Sequence, residues 1–521
     1  MKPISVTPVI SPAVFAYAFV AAALFALTSR YPGYVHHDTA EIAMLSELGW
    51  PLGLPKHPPL LPWLFRIVAT VVPLNWVTLS MLTAANIVVG AWAVWRIALM
   101  YLSEERAAVA LMLYALSPAG TFFALKLNHN AILVSLWPLT ILAFLLCLRE
   151  DDAKRSAAKG IAFGAMAAAC MLAKYYSGVL LACCFAASLG SVHRNRFYRL
   201  PGGYVAVGVF LVLMAPHAWW MLTQRGDTLA YGLNESAREA NPMLHFLLLA
   251  PLYLVPPMAG LGAIAWWLTG PVPREEADAR TKKWTELWTF ASAPFLLTAV
   301  LISAFHLRGA TSWALPDFCV ATVLLAGMLP PLSMQETARI KAVARAGLWL
   351  VALAGPVVLV VTFSVGEMNT VEPRAEVARA AGRIFAMAAG RQPGIVAGDP
   401  QSANAAALVI ASRPTALTNF NAALAPWVTA DRIAREGVLA ICRPNYSGCS
   451  QAAEAFSAGR RGFVCFVPLQ RGLLWMTGRV MTAEILVIMP EGTGADEAAA
   501  RTACSAGGAE ARFVRMITPK V

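Results

Sequence analysis

The sequence predicts a polytopic α-helical membrane protein of about eleven spans, followed by a small C-terminal α/β domain outside the membrane. Three observations predict it: a shortage of charge, a succession of apolar runs near twenty residues long, and a change of composition after residue 366. Of 521 residues, 58% are hydrophobic and 13% charged, and the mean hydropathy is +0.60. Soluble domains carry about a quarter charged residues, whereas a helix crossing a bilayer needs about twenty mostly apolar ones. The formal net charge of +12 does not indicate a nucleic-acid binder. The Lys and Arg residues are scattered through short loops and form no single basic stripe.

The first run, roughly Val9 to Leu27, follows a lone Lys2. No small-residue cleavage site opens onto a soluble segment, so the run reads as a retained span and not a signal peptide. Further runs lie near 78–100, 107–124, 131–148, 160–173, 178–191, 203–222, 245–268, 287–305, 314–331 and 346–364. Those near 160–173 and 178–191 are short, as tilted or broken spans would be. Pro58 to Pro73, apolar but interrupted by proline, reads as a re-entrant or interfacial piece.

The connecting loops alternate in charge. Fifteen basic residues fall in five of them: Arg106; Arg149, Lys154, Arg155 and Lys159; Arg194, Arg196 and Arg199; Arg274, Arg280, Lys282 and Lys283; Arg339, Lys341 and Arg345. The alternate set holds eight: Arg30, Lys56, Arg66, Lys126, Lys174, Arg225, Arg238 and Arg308. The Lys/Arg rule puts the first set in the cytoplasm, the N-terminus inside and the region after the last span outside.

The spans and their loops are expected to form one transmembrane domain over 1–366. Over 367–521, short strand-like runs (Gly394–Gly398, Val438–Cys442, Phe463–Pro468, Ala483–Met489) alternate with alanine-rich helical stretches, as in a small α/β domain. Four of the nine cysteines (Cys442, Cys449, Cys465, Cys504) fall there, and Cys442 with Cys449 closes the shortest loop. Disulfides suit an exported domain, and four reduced thiols are the alternative. The other five (Cys147, Cys170, Cys183, Cys184, Cys319) lie in spans as small apolar residues.

Chemistry-bearing residues collect on the outer loops. Seven of eight histidines map there: His36, His37, His57, His129, His217, His245 and His306, with only His193 on the cytoplasmic side. Polar groups at membrane depth are costly and tend to face a cavity, and the spans are mostly clean at their centres, unlike those of a transporter. In the first outer loop, Asp38 and Glu41 sit one helical turn apart beside His36 and His37. Such a set can activate a hydroxyl or hold a divalent cation, or Asp38 simply caps a helix with Glu41 completing the box. No metal spacing such as His-x-x-x-His is present. In Lys56-His-Pro-Pro-Leu60 the prolines stiffen a turn that would aim Lys56 and His57 at a phosphate, or anchor the loop at the interface with Trp63. Lys126-Leu-Asn-His-Asn130, Lys174-Tyr-Tyr-Ser177 and His306-Leu-Arg308, with Trp313 behind it, add cations, hydroxyls and rings suited to a sugar phosphate. His217 with Trp219 and Trp220 reads as belt residues closing a span.

The order of these motifs, Asp38-Thr-Ala-Glu41, then Lys56-His-Pro-Pro-Leu60, then Leu127-Asn-His-Asn-Ala-Ile-Leu133, then Lys174-Tyr-Tyr-Ser177, resembles the GT-C glycosyltransferases over about the first 320 residues. The branch it looks like is that of bacterial relatives of dolichyl-phosphate-mannose protein mannosyltransferase and lipid A aminoarabinose transferase. The resemblance implies transfer of a sugar from a polyprenyl-phosphate donor to an extracytoplasmic acceptor (lipid A, another lipid, a glycan or a protein), with inversion, in a bacterial inner membrane. It implies Asp38, Glu41 and His57 as catalytic candidates, Asp38 taking the acceptor proton. Lys56, Lys126, Lys174, Tyr175, His306 and Arg308 are its candidates for holding the donor. Lys56 and His57 stand where the aminoarabinose transferases have a Glu-Lys pair, Asn130 where many relatives have Asp, and Thr39 where a Glu often follows. With those carboxylates gone, no cofactor is certain and a divalent metal stays an open alternative. The expected partners are the lipid-linked sugar and membrane lipid, with no nucleic acid. The rival reading is a lipid or sugar flippase without covalent chemistry.

Overall fold

The structure, a computed structural model, describes residues 12–31, 33, 35–120, 126–223, 242–268, 284–305, 311–329, 334–365, 373–443, 446, 448–473, 476–494 and 496–518. It divides into two units: 1–26, 52–60 and 81–353 in one, and 27–51, 61–80 and 354–521 in the other. Among the described residues five helices are long and apolar enough to cross a membrane: Trp76–Leu99, Ala153–Ala173, Gly202–Thr223, Met243–Ile264 and Thr285–Phe305. Four shorter apolar helices accompany them.

The helices are α1 (Pro12–Arg30), α2 (His37–Ser46), α3 (Leu60–Ala69), α4 (Trp76–Leu99), α5 (Glu104–Ala115), α6 (Leu133–Leu148), α7 (Ala153–Ala173), α8 (Gly178–Gly190), α9 (Arg194–Arg199), α10 (Gly202–Thr223), α11 (Pro242–Leu249), α12 (Val255–Leu268), α13 (Thr285–Phe305), α14 (Ala321–Gly327) and α15 (Met334–Val365). Several differ from the sequence reading. The run near 160–173 is no short span: α7 begins at Ala153, where Asp152 caps it by accepting from the Arg155 N–H at 2.8 Å. The run near 107–124 gives a helix that ends at Ala115, just before Pro118, whose missing N–H cannot continue the ladder. Near 314–331, the 3₁₀ turn Thr311–Ala314 and further turns precede the short α14. The proline-interrupted piece contains a regular helix, α3, because Pro62 falls in its first turn, where no N–H is needed.

In the first unit the apolar helices pack through small residues, as membrane helices do when no water drives them together. A Cβ at Gly164 would lie 2.3 Å from the Ala206 carbonyl oxygen, so only a glycine lets α7 lie this close to α10. Arginines close the loops at one end: Arg149 donates to the Met100 carbonyl (3.2 Å) and Arg196 to the Arg149 carbonyl (3.0 Å). Both satisfy carbonyls at or just past helix C-termini, where the dipole favours a cation. Glu150 is ion-paired with Lys159, which holds its carboxyl down at about 2.

In the second unit a six-stranded sheet runs β2-β1-β3-β5-β4-β6. The sheet and its helices are α16 (Arg374–Ala389), β1 (Ile395–Gly398), α17 (Pro400–Val409), β2 (Thr415–Thr418), α18 (Ala430–Glu436), β3 (Val438–Cys442), α19 (Cys449–Ser457), β4 (Gly462–Leu473), β5 (Met476–Ile488), α20 (Glu497–Ser505) and β6 (Arg512–Ile517). β1 pairs in parallel with β2 and β3, which requires the crossovers α17 and α18; the other pairings are antiparallel. β1 and β3 are buried along their whole length, which is why they read as continuous apolar runs. Disulfides join Cys442 to Cys449 and Cys465 to Cys504, and the five cysteines of the helical unit are free and buried. The first-loop helix α2 packs against α17 and β2. Arg413 donates to the Leu74 carbonyl (2.7 Å), and Arg66 to that of Ser46 (3.1 Å).

Candidate active site

In the first unit, four separate stretches of chain meet around Lys174. Asn86 of α4 donates to the Ala131 carbonyl (2.8 Å) and accepts from Ser135. This fixes the turn before α6, where Asn128 Oδ1 accepts from the N–H groups of Asn130 and Ala131, both at 3.0 Å. His129, 4% exposed, directs Nδ1 to the Ala173 carbonyl (2.9 Å), and its ring lies 4.1 Å from that of His57. The turn is thereby tied both to the end of α7 and to the Pro-rich loop. Lys174 leaves α7 in an extended conformation, and its ammonium donates to Asn130 Oδ1. The same ammonium sits 5.3 Å from the centre of the Trp313 ring, within the range of a cation–π contact.

His217 ties the Pro-rich loop to α10. It is 2% exposed, with Nδ1 2.6 Å from the Leu52 carbonyl and Nε2 2.7 Å from the Tyr175 hydroxyl. A carbonyl only accepts, so Nδ1 carries the proton and Nε2 accepts from Tyr175. Its ring stacks on Trp220 at 5.8 Å. A Cβ at Gly53 would fall 2.0 Å from Trp220, so the loop runs against that ring only because residue 53 is glycine. His217 is therefore no mere belt residue; it is an interior strut. Lys56 and His57 are half-buried on the same loop, and Lys126 lies in a bend just before Asn128.

Behind Lys174 the 3₁₀ turn Tyr175–Ser177 is held from the other side. The Tyr176 hydroxyl lies 2.8 and 3.0 Å from the two carboxylate oxygens of Asp317 and 2.7 Å from Thr298. Its ring stacks on Trp137 at 5.5 Å and an interplanar angle of 13°. Sequence pattern does not single out Trp137, Thr298 or Asp317. The one signal it offers is a lone Asp in an otherwise apolar run. His306 and Arg308 lie outside the described residues.

Asp38 and Glu41 lie in the second unit, on α2. The helix is capped by His36, whose Nδ1 accepts from the Asp38 N–H at 3.3 Å. This corrects the reading of Asp38 as the cap and leaves its carboxylate unused by capping. Instead, Asp38 lies 3.1 Å from His37 Nε2 and 3.6 Å from His36 Nδ1, and the two imidazoles stack at 4.2 Å. One donor atom from each of the three lies within 4.8 Å of the others, so the trio could hold a cation. Glu41 follows on the same helix, half-buried.

The family model for dolichyl-phosphate-mannose-protein mannosyltransferase matches residues 56–220, from Lys56 through Trp220. Among solved structures, ArnT from Cupriavidus metallidurans in the apo state gives a TM-score of 0.58 at 14% identity. The same protein bound to undecaprenyl phosphate gives 0.60 at 14% identity, and either match covers 90% of this chain and 97% of that one. The archaeal oligosaccharyltransferase AglB from Archaeoglobus fulgidus, in complex with an inhibitory peptide and a dolichol-phosphate, gives 0.41 at 11% identity, covering 87% and 72%. No curated protein matches the chain.

Proposed function

We propose that this chain, which has the GT-C fold of ArnT, is a membrane glycosyltransferase that uses a polyprenyl-phosphate-linked sugar. The observation that carries the proposal is Lys174, oriented by Asn130 and faced by Trp313. The leaving group of such a reaction is a lipid phosphate, and a fixed cation in a poorly solvated setting stabilises the charge developing on it. ArnT, structurally similar over nearly its whole length, has been solved with undecaprenyl phosphate. In the proposed reaction the acceptor hydroxyl oxygen bonds to the anomeric carbon as the bond to the phosphate oxygen breaks, inverting that centre. The hydroxyl proton passes to Asp38, with Glu41 beside it on α2. Lys56, His57, Lys126 and Tyr175 serve the donor, as do His306 and Arg308. The finer reading is a hexosyl or pentosyl transfer, by a bacterial inner-membrane protein of about eleven spans whose sheet domain stands in the periplasm. The acceptor is a lipid, a glycan or a protein.

Purified protein incubated with a panel of polyprenyl-phosphate sugars and an extracted acceptor fraction should release polyprenyl phosphate. Movement of lipid between vesicle leaflets without release would make the chain a flippase, and release of sugar 1-phosphate would make it a phosphotransferase. The trio of His36, His37 and Asp38 favours a second role for Asp38, as ligand to a divalent cation. Turnover abolished by a chelator and restored by zinc or manganese would assign that role. Unchanged turnover after chelation leaves Asp38 as the base.

A further inference from the structure

We propose that Asp317 is a positioning residue, one that fixes the turn bearing Lys174 and Tyr175 by holding Tyr176. The inference rests on the reading of Lys174 as a donor-phosphate ligand. Asp317 is 1% exposed and lies among apolar residues, where a carboxylate is costly unless it is well bonded. Both of its oxygens face one partner, the Tyr176 hydroxyl, at 2.8 and 3.0 Å. Tyr176 donates to Asp317, and its hydroxyl also lies 2.7 Å from that of Thr298, which donates to the Pro294 carbonyl (2.7 Å).

Tyr176 is a strong handle on the turn. Its ring lies between Trp137 (5.5 Å, 13°) and Trp313 (5.6 Å, 40°). The next residue, Ser177, is fully buried and accepts from Trp137 Nε1 at 3.1 Å. The turn closes with the Ser177 N–H on the Lys174 carbonyl at 3.0 Å. In a 3₁₀ turn successive side chains point about 120° apart. Pinning Tyr176 and Ser177 therefore dictates where Tyr175 goes, and Tyr175 indeed reaches a different partner, His217. Lys174 enters the same turn with its backbone tied to Cys170 and its ammonium against Trp313. The segment Trp313–Asp317 thus touches both the cation and the anchor of the turn that presents it. Removing the carboxylate frees Tyr176 to rotate and lets Lys174 wander, a displacement felt in donor binding before the chemical step.

The test is steady-state turnover of the full chain, with donor and acceptor varied separately. Asp317→Ala should raise the donor KM about tenfold with the acceptor KM unchanged and kcat within about threefold. Asp317→Asn, which still accepts from Tyr176, should recover most of that loss. Tyr176→Phe keeps the ring stack, removes the same bond from the other side and should raise the donor KM on its own; where either single variant does not fold, Tyr176→Phe combined with Asp317→Asn, which strands no buried charge, decides the matter. Lys174→Ala is run alongside. A raised donor KM in Lys174→Ala with normal values in Asp317→Ala and Tyr176→Phe overturns the positioning role alone. An unchanged donor KM in Lys174→Ala overturns the donor-site reading itself. Loss of kcat in proportion to loss of folded protein, with KM fixed, makes Asp317 a residue of stability only.

Discussion

At the scale of the residue, Asp38 and His217 make opposite lessons. Asp38 is legible as a candidate, because an acid preceded by two histidines in a short loop has little purely structural use, and the structure gives the helix cap to His36 instead. Asp38→Asn should cut turnover by about two to four powers of ten, the worth of general-base assistance, without altering yield or membrane insertion. Near-normal rates in that variant would remove the assignment. His217 misleads because an aromatic-rich span end looks the same whether it meets lipid or folds inward. Only the long-range bonds to Leu52 and Tyr175 separate the two. His217→Phe keeps the stack on Trp220 but removes the partner of the Leu52 carbonyl and one partner of the Tyr175 hydroxyl. It should lower stability by on the order of 1–3 kcal/mol, read as an earlier thermal unfolding in detergent. Asp317 escapes notice for a related reason: its meaning lies in Tyr176, 141 positions away.

At the scale of the element, apolar run length recovers most of the long helices but not their ends. Lys154, Arg155 and Lys159 dilute the first two turns of α7, so hydropathy starts the helix too late, whereas its capping by Asp152 starts it at Ala153. Conversely, Pro118 and Pro316 sit inside apolar stretches and break them. The buried strands β1 and β3 show as apolar runs, but β2, which opens and closes on threonine, and β6, which has no buried residue, give too little pattern to register. The face joining α7 to α10 depends on the absence of a side chain. Gly164→Leu should force the helices apart and make the protein more sensitive to protease and heat than Ala168→Leu, although Ala168 is also buried. Equal sensitivity in the two variants would show that α7 can shift to make room.

At the scale of the whole molecule, the sequence divides the chain at residue 366, and pattern alone cannot reveal what the first loop does. Its helix α2 packs on α17 and β2, over 350 positions further on, and the loop joins the sheet in one contact unit. Local periodicity carries no trace of such a pairing. The physical consequence concerns cooperativity: elements sharing a core tend to open together. On gradual heating, turnover should vanish at the temperature where amides of β1 and β3 lose protection from hydrogen exchange, while the membrane helices remain protected. Activity that persists after the strands exchange would show that α2 keeps its shape alone.

The cross-links Cys442–Cys449 and Cys465–Cys504 also make the sheet domain a record of its own biogenesis. Such bonds persist in oxidising compartments and stay open where glutathione prevails. On the proposed topology, with the sheet domain in the periplasm, a copy threaded through the membrane the other way round would leave four thiols unsealed beside a destabilised sheet, an easy substrate for quality-control proteases. Alkylation of cells under denaturing conditions should then modify five cysteines in the mature protein and nine in misinserted copies.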